Sequence, residues 1–188
     1  MSIPSLERER EWLLLAQHQR DTQAFGQLVG LHQGRVRAVL RKLTRGQQAL
    51  ADELAQETFI KAWQALPTFR HGAQWSTWLH RIAYLEFLQH QRRWADEHAN
   101  TAPPDHEAVA AMHSTHDLRL DLEKALAQVH PLENAAIVYC YYGGLSHAEA
   151  AQVLDLPLGT LKSHVLRGRA KLQSLLAAWK PKDTQDSP

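Results

Sequence analysis

The residues with the clearest chemical meaning are cations near the end of the chain. Lys162, Arg167 and Arg169 lie in a stretch, residues 160–182, that contains no Asp or Glu. Arginine can donate two hydrogen bonds to the edge of a guanine, and lysine most simply neutralises a phosphate. Ser163, next to Lys162, carries a hydroxyl that could reach a base or a phosphate. These residue types in this pattern predict binding to nucleic acid.

Other kinds of site have little support in the sequence. The pair His113 and His116 precedes a helix, but no cysteine or well-spaced carboxylate completes a tetrahedral metal site. No phosphate-binding loop, dinucleotide fingerprint, zinc-protease helix or nucleophile elbow is present. Cys140 stands between two tyrosines on a largely apolar helix, which is typical of a buried structural thiol. The sequence therefore predicts no enzyme, no metal and no cofactor.

The cations belong to a segment with the layout of a helix-turn-helix. Ser146 and Glu149 have the spacing of a capping box, which predicts the start of a short helix. A turn is predicted over residues 155–159 and a long helix from Thr160 to Trp179, with a buried stripe of Leu161, Val165, Leu172, Leu175, Leu176 and Trp179. Its outer face would present Lys162, Ser163, Leu166 and Arg167. In this motif the second helix enters a major groove; the alternative is a helical hairpin with a solvated basic face.

The first half of the chain has the period of α-helices, and no segment is typical of a strand. Three apolar sets show this spacing: Phe25, Leu28, Val29, Val36, Val39, Leu40 and Leu43; Leu50, Leu54, Phe59, Ala62, Trp63 and Leu66, ended by Pro67; and Trp75, Trp78, Leu79, Ile82, Ala83, Leu85 and Leu88. We expect a helical bundle up to Trp94. Trp78 is expected in its core, whereas the position of Trp75 is left open.

Charge and composition divide the chain into two units. Residues 1–94 and 160–182 have an excess of Lys and Arg, whereas residues 95–117 contain acids, two consecutive prolines and no basic residue. The predicted organisation is an all-α chain with a helical domain at 1–94, a flexible acidic linker at 95–117, a helix-turn-helix domain at 118–180 and a disordered tail at 181–188. No apolar run is long enough to cross a bilayer, and the charged N-terminus is unlike a signal peptide. A cytoplasmic location without membrane insertion is therefore expected.

Two groups of motifs together resemble the extracytoplasmic-function (ECF) sigma factors, the smallest members of the sigma-70 family. The first half contains Asp21-x-x-Ala24-Phe25-x-x-Leu28, Ala51-Asp52-Glu53-Leu54-Ala55-Gln56-Glu57-Thr58-Phe59-Ile60-Lys61-Ala62-Trp63 and Phe69-Arg70-x-Gly72-x-x-Trp75-Ser76-Thr77-Trp78-Leu79-His80-Arg81-Ile82-Ala83. The second half contains Gly144-Leu145-Ser146-x-x-Glu149-x-Ala151, Gly159-Thr160-Leu161-Lys162-Ser163 and Arg167-Gly168-Arg169-Ala170-Lys171-Leu172. Both groups in this order across a linker form a specific signal. The resemblance implies a factor that directs RNA polymerase to promoters and has no catalytic activity of its own.

The resemblance also implies roles for individual residues. Docking on the clamp helices of the polymerase β′ subunit would use Asp52, Glu53, Leu54, Gln56, Glu57 and Phe59, although an ordinary helix with a solvated acidic side remains an alternative. Reading of the melted −10 promoter element would use Lys61, Ala65, Phe69, Arg70, His71, Gly72, Trp75, Arg81, Ile82 and Ala83. Binding of the −35 element would use Thr160, Lys162, Ser163, His164, Leu166, Arg167 and Arg169. Further implied partners are the polymerase β flap and an anti-sigma factor, and the linker would run toward the RNA exit path.

The chain departs from the family pattern at several positions. Leu85 stands where the family usually has an asparagine that could contact a base, and His164 replaces a usual arginine. His32 replaces a usual aromatic residue, and Val129-His130-Pro131 stands for the usual Leu-Pro. These changes predict a divergent member with an unusual promoter preference. Two alternatives stay open: a helix-turn-helix regulator that acts without polymerase, and a polymerase-binding decoy that has lost promoter reading.

Overall fold

The computed structural model describes residues 6–70, 74–98 and 128–177, and all regular structure in these ranges is helical. The first half contains α1 (Leu6–Gln19), α2 (Thr22–Leu43), α3 (Gln48–Ala65), a 3-10 turn (Leu66–Thr68) and α4 (Trp75–Glu97). The second half contains α5 (Pro131–Ile137), a π-helical turn (Val138–Tyr142), α6 (His147–Leu154) and α7 (Leu158–Ala177). The predicted all-α class is confirmed. None of the helices in the described ranges has the length and apolarity that a bilayer crossing requires.

Helix α2 forms the centre of the first half. Asp21 caps its N-terminus, because the side-chain oxygen accepts the backbone N–H groups of Gln23 and Ala24. Its buried stripe is close to the predicted one and consists of Ala24, Leu28, His32, Val36, Val39, Leu40 and Leu43. Phe25 and Val29 lie at the edge of this stripe and are only half-buried. The polar member, His32, contacts Glu9 of α1 at 2.9 Å between Nε2 and Oε1, which gives its ring a partner in a buried position.

An ion pair joins α3 to α4. The Nζ atom of Lys61 lies 2.8 Å and 2.7 Å from the two carboxylate oxygens of Glu86. The Glu86 side chain is 3% exposed, so Lys61 supplies the counter-charge that a carboxylate in a buried position needs. Helix α3 ends at Ala65, directly before the turn that contains Pro67, close to the predicted end. Helix α4 continues to Glu97 and therefore includes the first residues of the predicted linker; residues 99–127, which contain the rest of it, lie outside the described ranges.

The two tryptophans near the start of α4 differ in how deeply they are buried. Trp75 is 5% exposed, whereas Trp78 is half-buried. Trp75 is the first residue of α4 and meets Phe69 edge-on at 5.5 Å between ring centroids. Trp78 lies one turn later, 5.1 Å from Trp75 and 5.2 Å from Phe69, at the border of the cluster. Trp78 packs against the core as a partly buried residue, and Trp75 is the more deeply buried ring.

The helix-turn-helix has the predicted elements with shifted boundaries. The capping box is confirmed, because the Ser146 hydroxyl accepts the Glu149 N–H and a Glu149 carboxylate oxygen accepts the Ser146 N–H. These hydrogen bonds lower the pKa of Glu149. Helix α7 begins at Leu158 rather than Thr160, because the carbonyl of Pro157 already accepts the N–H of Leu161 and Pro is suited to the first turn. Trp179 lies outside the described residues.

The two halves pack against each other through α4 and α6. Tyr139, in the π-helical turn, is fully buried. Its ring meets those of His80 and Tyr84 edge-on at 5.6 Å and 5.9 Å between centroids. Buried residues of both halves therefore form one continuous hydrophobic core. From the sequence, two units joined by a linker are expected, and nothing in the sequence indicates this contact between them.

Candidate nucleic-acid interface

Helix α7 presents most of its predicted contact residues to solvent. Leu161 and Val165 are buried against the rest of the second half, so the opposite side of the helix faces outward. Thr160, Lys162, Ser163 and Arg169 are exposed, and Leu166 is 69% exposed. The hydroxyl of Ser163 donates to the carbonyl of Gly159 at 3.0 Å. This face is cationic with one apolar contact residue, which suits a DNA groove.

Arg167 is already paired within the protein. Its Nε donates to the Glu133 carboxylate at 2.9 Å, and its Nη2 donates to Nδ1 of His164 at 3.0 Å. Glu133 lies on α5 and was not singled out from the sequence. No sequence signal could have found it, because the pair joins helices that are 34 positions apart along the chain.

Three of the residues predicted to read the −10 element are core residues. Phe69, Trp75 and Ala83 are buried, and the rings of Phe69 and Trp75 pack edge-on against each other. In this conformation the Trp75 ring is buried against Phe69 and Trp78, and direct stacking of a base on it stays a prediction. Arg70 is exposed, while Lys61, Ala65 and Ile82 are half-buried. His71 and Gly72 lie outside the described residues.

A polar groove lies beside Phe69 and Trp75. It has a volume of about 550 Å³, and its walls come from α1, α2 and the start of α4. Its polar lining consists of Glu9, Arg10, His32, Arg35, Gln74 and Ser76. Two arginines and a wall formed by Phe69 and Trp75 give this groove the charge and the apolar contact that a nucleotide needs. Arg10 and Arg35 are not among the residues predicted from the sequence, because their helices lie far along the chain from the predicted −10 motif.

Arg81, also predicted to read the −10 element, contacts the second half instead. Its Nη1 donates to the carbonyl oxygen of Gln152 at 2.7 Å, and its Nη2 lies 3.6 Å from a carboxylate oxygen of Asp155. Asp155 ends α6 in the left-handed conformation, with φ of +58°. One turn before Arg81, the hydroxyl of Thr77 donates to Glu149 at 3.4 Å. Arg81 therefore links α4 to the C-terminal end of α6.

His80 lies at the centre of the same contact. Burial, with His32 and Arg35 nearby, lowers the pKa of His80 to about 4. Its Nδ1 is buried and has no hydrogen-bond partner within the described ranges. The ring is therefore neutral at physiological pH. Cys140 is half-buried on the same turn as Tyr139, and burial raises the pKa of its thiol, which makes it a poor nucleophile.

Helix α3 presents the residues predicted to dock on polymerase, with one exception. Glu53 and Gln56 are exposed, and Glu57 and Phe59 are half-buried. Leu54 is buried and belongs to the core, because it shares the inward stripe of α3. Asp52 is half-exposed, with a carboxylate oxygen 3.4 Å from Nε of Arg37 on α2.

An apolar surface adjoins these acids and was missed by the sequence analysis. Ile60 is 51% exposed and, with Phe59, lines two grooves between α2 and α3. Phe25 and Trp63 line one of them, with 4.9 Å between their ring centroids, and the Arg20 guanidinium lies 4.0 Å from the Trp63 ring. The detectable signal was Ile60 itself, an apolar residue at an outward position of an amphipathic helix.

Comparison with known families gives one match in each half of the chain. Residues 28–96 match Sigma-70 region 2, and residues 119–172 match Sigma-70, region 4. The ECF RNA polymerase sigma factor SigM of Mycobacterium tuberculosis is 32% identical over 170 residues, which cover 90% of this chain and 86% of SigM. The ECF RNA polymerase sigma factor SigE of Mycolicibacterium smegmatis is 35% identical over 161 residues, which cover 82% of this chain and 62% of SigE.

Solved structures also share this fold across both halves. CnrH in complex with the cytosolic domain of CnrY matches with a TM-score of 0.72 and 26% identity, over 92% of this chain and 99% of that chain. The sigma factor RpoE in complex with the anti-sigma factor NepR from Bartonella quintana matches with a TM-score of 0.74 and 30% identity, over 85% and 100%.

The fold and the family matches thus define a non-enzymatic transcription-initiation factor, with a region 2 half and a region 4 half. The chain belongs to the ECF RNA polymerase sigma factors of the sigma-70 family, which bind core RNA polymerase and promoters and direct transcription initiation. Membership accounts for the motifs of both halves. The alternative of a regulator that acts without polymerase left the motifs of the first half unexplained.

Proposed function

We propose that this chain docks on core polymerase through α3 and contacts a promoter at two places, the −10 element with its first half and the −35 element with α7. The observation that supports this most strongly is the contrast between two outward faces. One face of α3 combines exposed acids with the apolar Ile60, whereas the outer face of α7 is cationic. The first suits a basic protein partner, and the second suits DNA.

On α3, Ile60 and Phe59 would be the apolar anchors of the polymerase contact. Protein interfaces usually have an apolar centre and a polar rim. Glu53, Gln56 and Asp52 surround the anchors and would face basic residues of the β′ clamp helices. Leu54 supports this surface from the core rather than touching the partner.

For the −10 element, the polar groove between α1, α2 and α4 would receive one base that has left the duplex. A pocket that holds such a base offsets part of the cost of strand opening, which is a few kcal/mol. Arg10 and Arg35 would contact phosphates at its rim, together with Arg70 and, after release from the second half, Arg81. Lys61 would act indirectly, because its ammonium group is paired with the carboxylate of Glu86.

For the −35 element, α7 would enter the major groove with Thr160, Lys162, Ser163, His164, Leu166, Arg167 and Arg169. By analogy with sigma factors, the second half would also contact the β flap of the polymerase. An anti-sigma factor is a further expected partner, and the anti-sigma complex of RpoE supports it. Because transcription initiation takes place on the chromosome, the protein would be located in the cytoplasm.

Reconstituted transcription tests this proposal. The full chain is combined with core polymerase and a promoter from its own host, and run-off transcripts are measured. We expect Ile60→Asp to lose both co-purification with core polymerase and transcription, because it puts a charge at the apolar anchor. The matched control Gln48→Glu, an exposed change on the same helix, should leave both intact. A wild-type chain that binds polymerase yet gives no transcript, even from a template with a melted −10 bubble, would be a decoy and would refute the proposal.

A further inference from the structure

Three side chains linked by hydrogen bonds connect α5 to the outer side of α7. Glu133 accepts a hydrogen bond from Arg167, which donates a second one to His164. Glu133 is well placed because its side chain is only 14% exposed, whereas that of Arg167 is 57% exposed. The two helices are in close contact here: a Cβ atom on Gly168 would lie 3.1 Å from Cβ of Glu133. Glu133 therefore provides a fixed anchor for a more exposed arginine.

This arrangement determines which nitrogen of His164 carries its proton. A guanidinium group can only donate hydrogen bonds. Since Nη2 of Arg167 lies 3.0 Å from Nδ1 of His164, Nδ1 must be the acceptor. The hydrogen of the neutral ring is then on Nε2, and Nε2 has no hydrogen-bond partner within the described part of the chain. His164 thus offers one free donor on the DNA-facing helix.

The neighbouring imidazole does not compete for this donor. The His130 ring is nearly parallel to that of His164, with 6.5 Å between centroids. Nδ1 of His130 accepts the backbone N–H of Leu132 at 3.3 Å, so its own hydrogen is also on Nε2. Neither ring presents a free acceptor on Nδ1, and both offer donors.

We propose that Glu133 and Arg167 hold His164 so that its Nε2–H group reads a hydrogen-bond acceptor on one base of the −35 element, which makes His164 a specificity-determining residue. The inference rests on the proposed binding of α7 in a major groove. There, a donor can pair with N7 of a purine, O6 of guanine or O4 of thymine. Cytosine presents an amino group at this edge, so it would be rejected. Glu133 and Arg167 act as positioning residues through His164.

The test is a base-preference profile. Full-chain protein and core polymerase transcribe a pool of promoters with a randomised −35 element, and the enriched sequences are read at each position. We expect the wild type to discriminate against cytosine at one position. In His164→Ala this discrimination should fall about tenfold, and the base preferences at the other positions should not change. Glu133→Ala should lose the same preference, and Glu133→Gln, which keeps an oxygen acceptor, should restore most of it. His147→Ala, at an exposed histidine on α6, is the matched control.

The possible results separate the two levels of the proposal. An unchanged profile in His164→Ala overturns the inference and leaves the −35 contact of α7 intact. A uniform loss over all sequences, with a weaker dependence on salt, means a phosphate contact and also overturns it. A wild type without any −35 preference refutes the proposed contact of α7 itself. A profile that changes with Glu133→Ala but not with His164→Ala would assign the reading to Arg167 and reject the role of His164.

Discussion

The hydroxyl of Tyr139 donates a hydrogen bond of 3.3 Å to the carbonyl oxygen of His80, 59 residues earlier in the chain. Tyr139 belongs to the region 4 half and His80 to the region 2 half, so this bond crosses the contact between them. The tyrosine ring contributes more than the bond, because it fills the space between His80 and Tyr84. A fully buried aromatic side chain of this kind is a major element of packing.

Substitution of Tyr139 separates these two contributions. Tyr139→Phe removes one hydrogen bond and should cost about 1 kcal/mol of unfolding free energy. Tyr139→Ala leaves a cavity in the shared core and should cost roughly 3–5 kcal/mol. Urea unfolding of the full chain, followed by circular dichroism, measures both. Equal losses for the two variants would mean that the ring is not packed as described.

The stability of the protein should depend on pH through His80. Its folded-state pKa is about 4, below the ordinary 6.5, so the unfolded chain binds a proton that the folded chain does not. The stability that the neutral His80 ring contributes is therefore intact above pH 6.5. It is lost as the pH falls from 6.5 toward 4, by about 3 kcal/mol of unfolding free energy at most. Urea midpoints between pH 7.5 and 4.5 measure the loss. His80→Gln should flatten this dependence, and His147→Gln, at an exposed position, should not.

Removing one partner of the pair of Lys61 and Glu86 should be destabilising, because Glu86 is buried and would lose its counter-charge. Lys61→Met leaves an unpaired carboxylate and should cost about 3 kcal/mol. The double variant Lys61→Met, Glu86→Met removes both charges and should recover most of that loss. Thermal unfolding of the wild type, both single variants and the double variant completes the cycle. Additive losses would show that the two groups do not interact.

Gly168 permits the close contact between α5 and α7. A Cβ atom at this position would lie 2.7 Å from Cδ1 of Ile137, so Gly168→Ala should cost roughly 1–3 kcal/mol through overpacking. Gly159 lies near the start of the same helix, and a Cβ atom there would meet no other atom within 4 Å. Gly159→Ala should therefore be neutral or slightly stabilising. Thermal unfolding compares the two variants. A neutral Gly168→Ala would show that the side chains of Ile137 and Glu133 can shift away from the added methyl group at no cost.

Local patterns in the sequence predicted the local structure well. The capping box of Ser146 and Glu149 and the end of α3 before Pro67 follow from interactions within a few residues, which a sequence displays directly. The relative burial of Trp75 and Trp78 was not predictable in this way, because it depends on where Phe69 packs. The partners of Arg81 and Arg167 lie on other helices, so the side chains with the clearest expected DNA roles were also those whose surroundings the sequence could not show.

The contact of Arg81 with Gln152 has a consequence for promoter affinity. If Arg81 holds a phosphate of the −10 element as proposed, it must first exchange the Gln152 carbonyl for that phosphate. Only molecules whose halves have separated could then bind the promoter in this way. The apparent dissociation constant for the promoter would rise in inverse proportion to the fraction of such molecules. Any partner that keeps the halves apart would strengthen promoter binding without touching DNA, and any partner that clamps them together would weaken it.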